Sequence, residues 1–555
     1  MNHRPVRPRR LALALALVAS TAPLPALAQN APAAAHAQRS NAMLDRLFTE
    51  WRAFEASGKV GAVHDYREPA MVRKAAELKR FQARLDAIDR TGWSVPDKVD
   101  WNMLRAEMNG LDFDLRVLRP WQRDPAYYAT LWAAQSDTPE HEGPVAHGAI
   151  ELWQFRFPLD AAAEAKLTRE LATIAPFLAQ GRENLTGNAR DLWAAGIVTM
   201  EGQAATLADL APRVAGNGAA LRRAVADAQK ATGDFIGWLK AELPKKDGPS
   251  GVGRENYDWY LRNVQLSPLD WAGEVAIMER ELGRSHAALR LEENRNRALP
   301  LLPGADSPAA YDAQAKAAVR KYLAFLGDRE ILTVRDYMEP ALMERIGSFV
   351  PPDRQNFFHI AMHRAPMTLW THFYHWFDLA NMKADPHPRP IRRGPLLYNV
   401  WVSRSEGQAT AMEEAMLHAG LFDDQPRARE IVWIMQAQRA ARGLASLYAH
   451  ANIFTMKEAQ DFQVARTPNG WMSPTLELLA FEQQLYLRQP GYGTSYITGK
   501  HQVDKLMGEL AERDPKAFSV KRFYDGLNTH GMIPMSMVRW EMLGDDSEAK
   551  AIGAE

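Results

Sequence analysis

Helical periodicity is the feature that most constrains this chain. From Asn41 onward, apolar residues recur at steps of three and four, as in the stripe formed by Trp101, Leu104 and Met108. Such spacing places apolar side chains on one face of an α-helix. Alternating runs rich in Val, Ile and Thr are nearly absent, and Ile331–Val334 is the best strand candidate. The sequence therefore predicts a mainly α fold with at most a few short strands.

The length of the chain indicates more than one hydrophobic core. A single core rarely grows beyond about 250–300 residues, and this chain has 555. The clearest internal break is Pro244–Gly253 (PKKDGPSGVG), which lacks the Gly-Lys-Ser/Thr ending of a phosphate-binding loop. We predict an N-terminal helical lobe over residues 41–247 and a C-terminal helical lobe over residues 248–555, with a cleft between them.

The N-terminus has the three parts of a secretory signal peptide. Four arginines in the first ten residues precede the apolar run LALALALVAS, and Ala26-Leu27-Ala28 forms a small-residue cleavage site. The apolar run is too short to span a bilayer. We predict a signal peptide over residues 1–28, a disordered leader over residues 29–40, and a periplasmic or secreted mature protein without a membrane span.

Charge and cysteine content exclude several classes of partner and site. Lysines and arginines number 67, and aspartates and glutamates also number 67. This balance gives no reason to expect nucleic acid as a partner. The chain has no cysteine, which excludes disulfides, a thiol nucleophile and cysteine-ligated zinc. The expected partner is a peptide or another small molecule in the cleft.

Potential metal ligands crowd into the stretch His359–Glu414. It holds five of the 15 histidines and, near its end, three glutamates at helical spacing. His372 and His375 are three residues apart, so a helix would place them on one face. Two imidazoles and a carboxylate from a following helix can form a zinc site with an open fourth position. We therefore predict that His372, His375 and Glu406 bind zinc.

Two predicted helices carry these residues. Phe357–Met382 is expected to form one long apolar helix, or two helices broken at Pro366. The next helix is expected to begin beside the proposed glutamate ligand, with Ser403 or Ser405 as its N-cap. On that helix Glu413 shares a face with the ligand, so its carboxylate can orient an imidazole.

A second interpretation of the histidine pair is structural. Aromatic residues surround both histidines, and an imidazole in such a helix can be a packed polar group with one hydrogen bond. Zinc peptidases of the His-Glu-x-x-His type need a glutamate next to the first histidine as general base. Phe373 occupies that position. The missing base weighs against the usual peptidase chemistry.

Other basic residues near these motifs are candidates for binding an anionic ligand. The loop of residues 384–395 carries Arg389, Arg392 and Arg393, while Arg488 and Lys500 flank Tyr496. Guanidinium and ammonium groups bind carboxylates. The alternative is a solvated connector in the loop and solvated helix charges elsewhere, and for the loop we favour the solvated connector.

Three later motifs carry a family resemblance. They are Glu406–Ala409 (EGQA), Pro490–Gly499 (PGYGTSYITG) and Gly531–Pro534 (GMIP). From about residue 41 to residue 544, the chain resembles the bacterial family catalogued as domain of unknown function 885. That family resembles the all-helical zinc peptidases related to angiotensin-converting enzyme and thermostable carboxypeptidases. Its first motif, His-Glu-x-x-Pro-Gly-His-His, is replaced here by His372–His375 (HFYH).

The resemblance implies a zincin-like fold, zinc as cofactor and a metallopeptidase-like activity. Tyr496 falls on the family's third motif, where a phenol can stabilise an oxyanion or can simply pack at a helix start. Glu413 is the remaining candidate for the general base. The departure at Phe373 supports an alternative function on the same scaffold, a non-catalytic periplasmic peptide-binding or accessory protein, with or without the metal.

Overall fold

A computed structural model gives the fold of this chain. It describes residues 41–60, 63–135, 149–394, 396–398, 402–474 and 477–554. The predicted signal peptide and leader lie outside these residues. The prediction of a mainly α fold is confirmed, because most of the described residues are helical.

Side-chain caps set the starts of several N-terminal helices. The side chains of Asn41, Ser94 and Asp160 accept backbone N–H bonds from the first turns that follow them. The helices of this half are α1 (Ala42–Glu55), α2 (Glu68–Asp86), α3 (Val95–Phe113), α4 (Pro120–Arg123), α5 (Ala161–Leu171), α6 (Ile174–Asn184), α7 (Arg190–Arg213) and α8 (Ala219–Glu242).

The C-terminal half contains the remaining helices. In chain order these are α9 (Arg254–Asn263), α10 (Trp271–Arg295), α11 (Pro308–Asp328), α12 (Met338–Met343), α13 (Phe357–Arg364), α14 (Met367–Trp370), α15 (Tyr374–Ala384), α16 (Val402–Ala419), α17 (Arg427–His450), α18 (Met456–Arg466), α19 (Glu477–Arg488), α20 (Tyr492–Arg513), α21 (Val520–Thr529), α22 (Met535–Leu543) and α23 (Ser547–Ala551).

Strands are few and short in the described residues. Strands β1 (Lys59–Val60) and β2 (Val63–His64) pair antiparallel, and β3 (Leu131–Trp132) and β4 (Ile150–Glu151) pair parallel. The predicted strand at 331–334 is wrong. The side chain of Asp525 accepts hydrogen bonds from the backbone N–H and the hydroxyl of Thr333, both at 2.7 Å. A carboxylate on α21 therefore binds the backbone N–H that a neighbouring strand would bind in a sheet.

The apolar cores do not follow the order of the chain. The larger core combines α1, α2 and α3 with helices of the C-terminal half, and a second core lies among residues between Tyr66 and Leu239. All described residues belong to one compact unit, Arg39–Glu555. The division into two lobes at residue 247, and a cleft between them, stay predictions.

Two arginines of the loop after α15 form buried ion pairs. Arg389 and Arg392 donate from Nε to opposite oxygens of Asp100 in α3, at 2.5 and 2.7 Å. Arg392 also binds the carboxylate of Glu541 in α22 at 2.6 Å. Each arginine is 3% exposed. The prediction of a solvated connector is therefore wrong for these two residues, because the loop joins α3 to α22.

Helices α16 and α20 cross at two glycines. A Cβ added to Gly407 would collide with the backbone of Gly499, and one added to Gly499 would collide with the backbones of Gly407 and Ser403. Only glycine permits so close an approach of two backbones. The crossing places Glu406, the neighbour of Gly407, beside the first turns of α20.

Candidate metal centre

The two proposed histidine ligands lie on either side of a break in the helical path. The predicted break at Pro366 is present, since α13 ends at Arg364 and α14 begins at Met367. The expectation that the helix continues from there to Met382 is wrong, because residues 371–373 form a turn between α14 and α15. The hydroxyl of Thr371 bonds the carbonyl oxygen of Thr368 at 2.9 Å, which competes with helical pairing. His372 therefore lies in the turn and His375 in the first turn of α15, and their imidazoles face each other edge to face.

The third proposed ligand comes from the first turns of α16. The described helix begins at Val402, so Ser403 and Ser405 lie within it, and the prediction that one of them caps a helix at Glu406 is wrong. Ser405 instead lies 2.9 Å from Nδ1 of His375 through its hydroxyl. The helix thus contributes both a carboxylate and a group that fixes an imidazole.

Three side-chain atoms form a nearly equilateral triangle. The Nε2 atoms of His372 and His375 are 3.4 Å apart, and Oε2 of Glu406 lies 3.6 Å from the first and 3.1 Å from the second. The centre of such a triangle is about 2.0 Å from each corner, which matches zinc–nitrogen and zinc–oxygen bond lengths. These residues therefore fit zinc in both donor chemistry and spacing, while their role as ligands stays a prediction.

Further contacts hold the three side chains from outside. Oε1 of Glu413 lies 3.0 Å from Nδ1 of His372, and the hydroxyl of Tyr492 donates to Oε1 of Glu406 at 2.9 Å. Together with the Ser405 contact, they occupy the atoms that point away from the triangle. Metal ligands in proteins are held by partners of this kind.

The electrostatics of the site keep its carboxylate charged and its phenol protonated. Burial opposes charge on Glu406, but the imidazoles of His375 and His372 outweigh it and hold the pKa of the carboxyl well below its ordinary value. Burial raises the pKa of Tyr496 well above its ordinary value, and the Glu406 carboxylate adds to the shift. Tyr496 therefore keeps its proton and can donate a hydrogen bond.

A cavity of about 310 Å³ reaches the site from one side. Its lining combines apolar residues with a few polar groups, as small-molecule sites commonly do. The ring of Tyr496 lies 5.9 Å from the imidazole of His372 and nearly parallel to it. The lining includes His372, Phe373, Arg439, Arg442, Glu482, Tyr486, Tyr492 and Tyr496.

The contacts of Glu413, the candidate general base, do not suit that role. Both oxygens of Glu413 contact Arg439, at 2.6 and 3.0 Å, and one also accepts from Gln436. Glu413 is fully buried and is not among the residues that line the cavity. These contacts favour the orienting role predicted for Glu413 over the role of base. Phe373 lines the cavity where the usual peptidase glutamate would be expected.

Several residues from the sequence patterns lie outside this constellation. Lys500 pairs with Glu414, and Arg488 with Asp124. His363 accepts the backbone N–H of residue 350 at 2.9 Å through its Nε2. These groups have structural partners. Among the described residues, His372 and His375 are the histidines of this stretch that converge with a carboxylate in a group able to hold a metal ion.

Sequence reasoning missed three residues of the site. Tyr492 lies in the same motif as Tyr496 and only one turn before it, which was a usable signal. Arg439 and Arg442 lie one turn apart on α17, and nothing local in the sequence distinguishes them from solvated helix charges. Their place at the cavity follows from the packing of α17 against α20 and α16.

A comparison with models of known protein families identifies the family of this chain. A family model described as "Bacterial protein of unknown function (DUF885)" matches residues 52–295 and 375–542. His375, Glu406 and Tyr496 fall inside the matched segments, while His372 and Phe373 fall between them. No curated protein matches the chain.

Two solved structures share the fold. One is described as a "putative lipoprotein of unknown function" from Shewanella oneidensis, with a TM-score of 0.67 and 15% identity, covering 90% of this chain and 99% of that one. The other is described as a "putative lipoprotein" from Colwellia psychrerythraea, with a TM-score of 0.61 and 14% identity, covering 90% and 97%. Among the described helices, none is both long and apolar enough to cross a membrane.

Proposed function

Because this chain belongs to the DUF885 family of bacterial proteins of unknown function, we propose a function from its site: an exported zinc-binding protein of the metallopeptidase type. The observation that carries the proposal is the convergence of the Nε2 atoms of His372 and His375 with Oε2 of Glu406 on one point. A cavity of about 310 Å³ beside this point gives a small peptide-like ligand access.

The residues around the site have complementary tasks. A zinc ion held by His372, His375 and Glu406 would act as a Lewis acid that polarises a carbonyl group. Tyr496 lines the cavity and keeps its phenolic proton, so it is suited to donate to an oxygen that gains negative charge. Glu413 fixes the orientation of His372 rather than taking a proton from water.

Export is part of the proposal. The basic and apolar segments at the start of the chain and the small residues that follow them have the pattern of a signal peptide. Both structural neighbours carry the description "putative lipoprotein", a class that agrees with export. We propose a periplasmic or secreted location for the mature protein.

A second candidate function is ligand binding without catalysis. The specific observation in its favour is Phe373, an apolar ring that lines the cavity where a general base is expected. The one carboxylate of the described lining, Glu482, accepts hydrogen bonds from Arg442, Gln438 and Gln463. Within the described lining, no carboxylate is left without such a partner to serve as a base.

Metal analysis of the purified mature protein tests the zinc proposal. We expect about one zinc ion per chain after dialysis, and at least a hundredfold weaker zinc binding in His372→Ala, His375→Ala and Glu406→Gln. His418→Gln is the matched control, since this histidine lies on α16 with Glu406 but contacts Glu414 on the surface. Wild-type protein without stoichiometric zinc, or ligand variants that bind zinc as tightly as the control, would reject the proposal.

A peptide-cleavage assay on the zinc-loaded protein separates the two candidate functions. Cleavage of a mixed peptide library that is lost in His375→Ala supports the metallopeptidase. Binding of the same peptides with no cleavage supports the non-catalytic protein. The zinc content of the same sample is measured alongside both cleavage and binding.

A further inference from the structure

Two arginines one turn apart on α17 line the cavity, and they differ in how they are bound. Arg439 donates from Nη1 to Glu413 at 3.0 Å, and its Nη2 forms an ion pair with the other carboxylate oxygen at 2.6 Å. Arg442 donates from Nη1 to Glu482 at 2.7 Å. In the part of the chain that the structure describes, Nη2 of Arg442 donates no hydrogen bond. Since this residue lines the cavity, its second terminal nitrogen is available to a ligand.

Aromatic rings hold the guanidinium of Arg442 in place. Its Cζ lies 3.9 Å from the ring centroid of Tyr496 and 5.3 Å from that of Tyr486. Arg442 is only 2% exposed. A buried, stacked guanidinium has lost most of its conformational freedom before any ligand arrives, and its planar fork suits a carboxylate.

Formal charges make anion binding depend on the metal. The buried carboxylates around the cavity and the triangle are Glu406, Glu413 and Glu482, and the buried guanidiniums are Arg439 and Arg442. Three negative and two positive charges leave a net charge of −1. A divalent zinc ion changes this sum to +1. The zinc-loaded cavity therefore attracts an anion, and the metal-free cavity repels one.

Most of the remaining lining is apolar, and its other polar residues are Asn356 and His359. Phe358, Met362, Leu369 and Leu485 face the same space as Arg442, and the cavity volume of about 310 Å³ suits a small ligand. A ligand that satisfies both features carries one carboxylate and one apolar group. The ring of Tyr496 contacts Arg442 on one side and stacks with His372, so the carboxylate-binding group and a proposed metal ligand share this tyrosine.

We infer that Arg442 forms a carboxylate subsite in the cavity, which takes an apolar acyl amino acid or the C-terminal residue of a peptide. This inference rests on the proposed zinc site, because the metal supplies the net positive charge. The carboxylate of the ligand accepts from Nη2 of Arg442, and the side chain of the ligand packs against the apolar wall. No bond is made or broken in this step.

Calorimetry with a matched pair of probes tests the subsite. N-acetyl-L-leucine carries the carboxylate, and N-acetyl-L-leucinamide is the same molecule with a neutral amide. We expect the zinc-loaded wild type to bind the acid at least about tenfold more tightly than the amide, as for a hydrogen bond to a charged group. The double variant Arg442→Gln with Glu482→Gln removes both members of the ion pair and leaves the sum of charges at +1, so we expect it to lose most of the preference for the acid, which the direct hydrogen bond supplies.

Two further variants control for specificity and for misfolding. The double variant Arg427→Gln with Glu430→Gln removes another ion pair of α17, one that does not line the cavity, and it should keep the tenfold preference. If the Arg442 double variant does not fold, Arg442→Lys keeps a partner for Glu482 but lacks the planar fork, and it should lose most of the preference.

The outcomes separate this inference from the proposed function. Equal binding of acid and amide by the zinc-loaded wild type, or a preference that survives undiminished in the Arg442 variants, overturns the subsite. Zinc content measured on the same samples reports the metal site by itself. A protein that holds no zinc rejects the proposed function, whereas a full complement of zinc with no preference for the acid rejects only the subsite.

Discussion

The Nδ1 atom of His372 lies 3.0 Å from Oε1 of Glu413, a carboxylate that Arg439 holds through both of its oxygens. A carboxylate at Nδ1 favours the tautomer with the proton on that nitrogen. The lone pair of Nε2 then points toward His375 and Glu406. The contact thus selects the form of the imidazole that can bind a metal.

Replacing Glu413 should weaken metal binding without removing a ligand. Glu413→Gln lacks the negative charge that stabilises the Nδ1–H tautomer, and we expect zinc affinity to fall about 10–100-fold. Competition with a chelator of known affinity measures the change. The matched control is Glu414→Gln, the next residue on α16, which pairs with Arg284 and Lys500. Equal losses in the two variants would contradict an orienting role for Glu413.

Tyr492 should support the site through Glu406. The variant Tyr492→Phe removes the hydroxyl that donates to Oε1 of Glu406 at 2.9 Å, and we expect about a tenfold loss of zinc affinity. Tyr496→Phe removes a hydroxyl from the same helix and the same cavity, and its zinc affinity should stay within about threefold of wild type. A larger effect at Tyr496 than at Tyr492 would refute this assignment.

The glycine crossing of α16 and α20 should tolerate no side chain. In Gly499→Ala the new Cβ meets the backbones of Ser403 and Gly407, and we expect a loss of about 1–3 kcal/mol or more in the free energy of unfolding. Zinc affinity should fall with it, because the collision moves Glu406. Gly508→Ala lies on the same helix, with open space around its Cβ, and should gain up to about 1 kcal/mol from helix propensity. Chemical denaturation of both variants gives the comparison.

Introducing a carboxylate at Phe373 tests whether the missing base is what limits catalysis. If the wild type binds zinc but does not cleave peptides, Phe373→Glu should gain measurable peptide cleavage, since general bases contribute about 10²–10⁴-fold. Phe373→Gln is the control, with the same shape and no basic oxygen. A gain in the glutamine variant as large as that in the glutamate variant would show that the base is not the cause.

Glu274 should make stability depend on pH. This buried carboxyl accepts from Tyr257 at 2.8 Å and from Thr498 at 3.2 Å. Burial nevertheless raises its pKa from 4.5 to about 7. The folded protein therefore binds this proton more tightly than the unfolded chain does, and stability falls as pH rises from about 4.5 to about 7. The loss is on the order of 3 kcal/mol.

The variant Glu274→Gln isolates this contribution. Its side chain is neutral at every pH, so its free energy of unfolding should decline less than that of the wild type across the same window. His450 acts in the opposite direction, because burial lowers its pKa to about 4 and it stabilises the fold above its ordinary pKa of 6.5. Both proteins contain His450, so their difference reports Glu274. Parallel pH profiles would contradict the assignment.

Local sequence patterns were enough to predict the fold class and to identify the three residues that cluster at the candidate metal centre. Helical periodicity predicted the α-rich architecture, and the spacing of His372 and His375 together with the motif at Glu406 predicted residues that the structure brings together. The break between the two histidines was not predictable from glycine or proline, since neither occurs there. It follows from a turn stabilised by threonine hydroxyls.

The remaining parts of the site depend on tertiary packing. Arg442 is distinguished from other helical arginines only by the aromatic rings of α19 and α20 that enclose it. The buried role of Arg389 and Arg392 depends on Asp100, about 290 residues earlier in the chain. Because the partners are so far apart in the sequence, a local pattern cannot identify the ion pair. The loop was therefore predicted to be solvent-exposed.

The ion pairs of Arg392 have a consequence for the order of folding. Arg392 lies 292 residues after Asp100 and 149 residues before Glu541, and it binds both. During synthesis, α3 emerges long before the loop and the helix that neutralise and cover its carboxylate. The larger core therefore closes only when nearly the whole chain is available, and contacts of such separation form slowly. A chain that stays open this long has time to be threaded across a membrane before it folds.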